Sequence, residues 1–229
     1  MHDVGAAWLM TSLSPSPLLV ALMQVVSSVP FFLLALPAGA IADVVDRRRL
    51  LLGLQSWMLV VAALLGCLTL AGITTPAILL ALTFAMSLGS AMNMPVWQAI
   101  TPELVGKEQL PAAVTLSGIT INLSRSIGPA LAGGIIAVAG TGSVFLLNAA
   151  SFSGVLWVLY HWRRTLPKSA LPAERVLGAV QAGIRYVRFA PPLQAVLIRS
   201  GTYIFFASAL FALLPILGRR ELGLDALGY

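Results

Sequence analysis

The sequence predicts an all-α protein that threads a lipid bilayer several times. Three observations carry that prediction. Of 229 residues, 59% are hydrophobic and only 10% are charged, where a soluble domain carries about 25% charged residues. The apolar residues come in long runs: Leu18 to Ala42 and Leu50 to Gly72 contain no Asp, Glu, Lys or Arg. A helix that crosses a bilayer needs about 20 such residues. The basic residues collect mainly between the runs.

The elements follow in order. Val4 to Leu13 is about ten residues, too short to span, and it ends at the turn Ser14-Pro15-Ser16-Pro17. It reads as the later part of a first membrane helix, truncated before Met1. Asp3 then has two readings: an intramembrane carboxylate, which is functional by default because burying it is costly, or a solvated terminal residue. Six complete spans are predicted at Leu18–Ala42, Leu50–Gly72, Pro76–Ile100, Leu110–Ala139, Ser143–His161 and Leu193–Leu217.

The long connection from Trp162 to Pro192 interrupts this series. Within it, residues 173–190 read as a basic amphipathic helix. Val176, Leu177, Val180, Ile184 and Val187 fall within an arc of about 100°, opposite Arg175, Gln181, Arg185 and Arg188. Such a helix either lies on anionic inner-leaflet lipids or packs on the ends of the bundle. The expected organisation is therefore a transmembrane half at 1–161, a linker at 162–192 and the start of a second half at 193–229.

Loop charge sets the orientation. Arg47, Arg48, Arg49, Lys107, Arg163, Arg164, Lys168, Arg175, Arg185 and Arg188 share one side, against Arg219 and Arg220 on the other. The first group belongs in the cytoplasm. The net charge of +6 thus points to the anionic face of a membrane and not to nucleic acid. A single cysteine, Cys67, forms no disulfide within the chain. His2 and His161 show no metal-ligand spacing. No phosphate-binding glycine loop and no nucleophile–base set is present, so no enzymatic activity and no cofactor are expected.

The turn between the first two complete spans carries the most specific pattern: Gly39, Asp43, then Arg47 and Arg48, with Arg49 beside them. With this spacing the chain resembles the major facilitator superfamily, in the bacterial exporter branch that includes enterobactin-type siderophore exporters and transmembrane secretion effectors. Asp46 stands where the family has a glycine. A second motif, Gly128-Pro129-Ala-Leu-Ala-Gly133-Gly134, resembles the Gly-Pro…Gly-Gly signature of the family's fifth helix, which implies that it bends and packs that helix.

The resemblance implies a major facilitator fold of twelve helices. This chain would be its N-terminal half plus the first helix of the second half, lacking the remaining C-terminal part. It further implies a bacterial inner-membrane exporter of a small amphipathic, siderophore- or drug-like molecule. That exporter would be driven by the proton gradient through alternating access, with Gly39, Asp43, Asp46, Arg47 and Arg48 as a cytoplasmic gate. Two alternatives stand beside it: a transport-incompetent fragment or interaction module, and a lysophospholipid transporter.

The fifth span is two-faced. Thr115, Gly118, Asn122, Arg125, Pro129, Ala132 and Gly133 share an arc of about 100°, opposite Leu116, Leu123, Ile127 and Leu131. An arginine at membrane depth faces a cavity or a partner, so Asn122 and Arg125 are candidates for the substrate or proton path. Arg125 also has a structural reading, as a cation paired to a buried carboxylate or to helix carbonyls. Trp97 and Gln98 extend the candidate path on the fourth span. The family's exporters often carry an arginine in that helix, and none is present here.

Overall fold

The computed structural model describes residues 1–162 and 176–220. The described residues are helical: α1 (His2–Leu13), α2 (Pro17–Val44), α3 (Arg47–Leu70), α4 (Pro76–Leu104), α5 (Leu110–Ala139), α6 (Thr141–His161), α7 (Val176–Phe189) and α8 (Pro191–Arg220). A single 3-10 turn, Lys107–Gln109, joins α4 to α5. Four of these helices, α3 to α6, are long and apolar enough to cross a membrane, and α2 carries a shorter apolar stretch, Leu18–Leu34. The chain divides into two compact units, Met1–Val176 and Leu177–Tyr229.

Local chemistry explains where the helices start and stop. Prolines open α2 and α4 at positions whose N–H has no intrahelical acceptor. Thr75 caps α4 by accepting from the Ile78 N–H at 3.3 Å. Gly72 (φ +70°) ends the α3–α4 turn and Gly140 (φ +78°) the α5–α6 turn, both in the left-handed region that favours glycine. Ala173, Glu174 and Arg175 of the expected amphipathic helix lie outside the described residues, as do 221–229. In the second unit Gln181, Arg185 and Arg188 are exposed on α7, and Arg199 is exposed on α8.

The first unit is organised on α3, which packs most extensively on α6, while α2 packs on α4. Three buried clusters stack along this core. Leu51, Ala42, Val96, Ile100 and Leu159 close the end near the arginine turn. Met58, Val61, Ala62, Met86 and Ala149 fill the middle. Leu65, Leu79, Phe145, Met10 and Met23 close the far end.

Between lipid-embedded helices close backbone approach, not expulsion of water, drives packing. The α3–α6 contact is built that way and is reciprocal. A Cβ added at Gly66 would lie 2.7 Å from Leu146 Cδ2, and one at Gly142 would lie 2.8 Å from Leu70 Cδ2. Each helix thus offers a glycine notch to the other's leucine. Gly89 of α4 receives Met58 of α3 in the same manner.

Polar groups fasten α3 to α4. Gln55 Nε2 donates to Asn93 Oδ1 at 3.2 Å, and Trp57 Nε1 donates to the Ala85 carbonyl at 2.7 Å. Gln24 bonds within its own helix, Nε2 donating to Ser28 Oγ at 3.3 Å. By contrast α5 is nearly bare: among its described residues Ala132 is buried, and both its polar and its apolar faces are open.

Candidate functional site

The arginine turn is a junction of four helices. Asp46 forms the N-cap of α3, its Oδ1 accepting from the Arg49 N–H at 2.8 Å. That role explains the aspartate at a position where the family has glycine: both residues suit a cap, and the carboxylate adds an acceptor next to the positive helix terminus.

Arg47 reaches across to α2 and α4. Its Nε donates to the Ala42 carbonyl at 3.2 Å, and its Nη1 donates to the Ala99 carbonyl at 3.1 Å and to Glu103 Oε1 at 2.6 Å. Arg48 turns the other way, to α6. Its Nε and Nη2 donate to the Leu159 and Tyr160 carbonyls at 2.9 and 2.6 Å. These are terminal carbonyls without an intrahelical donor, where a cation is favoured. Gly39 lies on α2 with open space beside its Cα. Asp43 belongs to the last turn of α2, and its side chain lies outside the described residues.

Glu103 was not legible as a partner for the turn. Its one signal is scarcity, since the chain has eight acidic residues and this one ends α4. The acceptors of Arg48 are backbone carbonyls, which no residue type announces.

The second group lies between α1 and α5. Asp3 and Arg125 line a single groove of about 400 Å³, with Val4, Thr120, Ser124 and Pro129 among its walls. Both charged side chains are exposed, and no ion pair joins them. The groove therefore presents a carboxylate and a guanidinium on opposite helices. An apolar molecule offers neither group a partner; a molecule with an ionic group does.

The other path candidates are not gathered there. Asn122 is exposed one turn away, and its Nδ2 donates to the Gly118 carbonyl of its own helix at 2.9 Å. Trp97 is half-buried against the Leu51–Ile100–Leu159 cluster. Gln98 is exposed on α4. In the glycine–proline motif α5 runs unbroken through Pro129. Gly128 approaches the first backbone nitrogen of the chain, 3.9 Å from the position of an added Cβ, while Gly133 and Gly134 face open space.

The chain is 34% identical over 148 residues to a staphyloferrin A transporter of Staphylococcus aureus, covering 64% of this chain and 37% of that protein. It is 31% identical over 128 residues to an enterobactin exporter of Shigella boydii, covering 56% and 30%. It is 24% identical over 228 residues to a multidrug efflux pump of Mycolicibacterium fortuitum, covering 91% and 54%. The chain thus spans about a third to a half of the length of the curated relatives it matches. No solved structure matches it significantly. The transmembrane secretion effector family model matches residues 1–229. The chain, a multi-pass membrane protein of the major facilitator superfamily, belongs to the transmembrane secretion effector family.

Proposed function

We propose that this chain is the N-terminal half, with the first helix of the second half, of an inner-membrane exporter of small amphipathic molecules. In this reading α2 to α6 and α8 are complete spans. The arginine turn faces the cytoplasm, in keeping with the loop charge. The cargo is siderophore- or drug-like, as the names of the relatives suggest, and its export is coupled to proton entry.

The observation that carries the reading is the sharing of one groove by Asp3 and Arg125 without an ion pair between them. Two opposite charges at membrane depth are costly, and they are kept where they meet cargo, protons or each other. Arg125 receives an anionic group of the cargo. Asp3 exchanges a proton, so that cargo and proton occupy the groove in turn. The links from Arg47 to α2 and α4 and from Arg48 to α6 hold the cytoplasmic end of the helices together, and Asp43 completes that gate. Opening this end requires those bonds to exchange. The amphipathic α7 lies on the anionic inner leaflet.

The test is efflux from everted vesicles, using the chain within its full-length reading frame, with candidate siderophores and drugs. Efflux that stops with a proton uncoupler, falls at least tenfold in Arg125→Ala and is kept in Arg199→Ala supports the reading. Equal losses in the two variants would overturn the cargo role of the groove, and efflux indifferent to the uncoupler would overturn the proton coupling.

A further inference from the structure

A second groove of the first unit shares no residue with the groove of Asp3 and Arg125. It runs between α3 and α6, has a volume of about 450 Å³ and is lined by Leu52, Ser56, Ser153, Leu156, Trp157 and Tyr160. From its position and charge, we infer that this groove is a binding site for one anionic phospholipid, drawn from the leaflet that meets the arginine turn.

The walls suit an acyl chain. Leu52, Leu156 and the Trp157 ring supply apolar surface, and the two serines leave room without adding charge. Among the described residues these walls are open: Trp157 is 66% and Tyr160 71% exposed.

The mouth of the groove suits an anion. Tyr160 lines it, and the Tyr160 carbonyl holds the Arg48 guanidinium at 2.6 Å. Arg49 stands on the same face of α3, three and seven residues before Leu52 and Ser56, which is about 4.5 and 10.5 Å along the helix. Its side chain is exposed and has no hydrogen-bond or ion-pair partner among the described residues; its backbone N–H alone is engaged, by Asp46. An arginine in that position presents a planar set of donors to a phosphate.

The aromatic groups mark the level of the headgroup. The His161 ring sits 4.8 Å from Trp157 and 5.6 Å from Tyr160, centroid to centroid. Its Nδ1 lies 2.8 Å from the Trp157 carbonyl. Since that oxygen can only accept, Nδ1 carries the hydrogen. Amphipathic rings of this kind settle where hydrocarbon meets headgroups. Acyl groove, aromatic shelf and unengaged cation thus follow one another in the order of the parts of a lipid. The charge selects an anionic headgroup over a zwitterionic one.

The experiment is native mass spectrometry of the purified chain in detergent, titrated with phosphatidylglycerol and, separately, phosphatidylcholine of the same acyl chains. One phosphatidylglycerol is expected to be retained per chain in preference to phosphatidylcholine. Arg49→Gln is expected to weaken that retention about fivefold, the scale of one arginine near an anionic surface. Ser153→Trp fills the groove with Arg49 intact and is expected to abolish it, while Arg199→Gln leaves it unchanged. Circular dichroism confirms that each variant is folded. Equal retention of the two lipids, phosphatidylglycerol retention undiminished in Arg49→Gln, or retention that persists in Ser153→Trp overturns the site.

Discussion

Asp46 shows how a single residue can depart from a family pattern and keep the local structure. Its carboxylate caps α3 through the Arg49 N–H, a role open to glycine by backbone freedom and to aspartate by hydrogen bonding. Asp46→Ala is therefore expected to lower stability by about 1 kcal/mol through the lost cap, and Asp46→Gly by only a few tenths. Thermal unfolding in detergent measures both. The arginines beside it were legible as a motif from spacing alone. Their acceptors were not, because Ala42, Ala99, Leu159 and Tyr160 contribute carbonyls that every residue type possesses. Asp3 and Arg125 were legible one at a time, as charges in apolar surroundings. Their common groove depends on α1 packing against α5, about 120 residues apart in the chain, and no local pattern encodes that.

At the scale of the element, helix limits were written in the sequence and helix partners were not. The run Leu110–Ala139 was bounded by a proline at its start and a glycine after its end, and α5 occupies those residues. Hydropathy cannot say which glycines meet a neighbour. A Cβ added at Gly66 or Gly142 would lie 3.1 or 3.2 Å from the backbone nitrogen of Leu146 or Leu70, whereas one at Gly133 or Gly134 would meet nothing within 4 Å. Gly66→Ala and Gly142→Ala must push the backbones apart and are expected to cost about 1–3 kcal/mol each. Gly133→Ala meets no obstruction and is expected to leave stability unchanged or raise it by up to about 1 kcal/mol through helix propensity. Denaturation of the three variants side by side separates the packed glycines from the open ones.

Across the whole molecule these contacts divide the first unit into parts of unequal firmness. α3 and α6 are joined by the reciprocal glycine notches and, at one end, by the two bonds of Arg48. α5 has a single buried residue and is held chiefly against α6 and α1. Rearrangement is easiest where few buried contacts must be broken, so α5 is the element freest to shift, against an α1 anchored by Ala6 and Met10 in the core, and the groove of Asp3 and Arg125 lies between the two. The α3–α6 pair is the opposite case. Cys67 is exposed on α3 and is the chain's one cysteine, and Ser151 is exposed on α6. Spin labels at Cys67 and at Ser151→Cys are expected to report one narrow distance, whatever occupies the groove of Asp3 and Arg125. A broad or shifting distribution would contradict the rigid pair. Two helices that cannot part company give spectroscopists a built-in ruler, a length that stays constant while every other interval in the protein is measured against it.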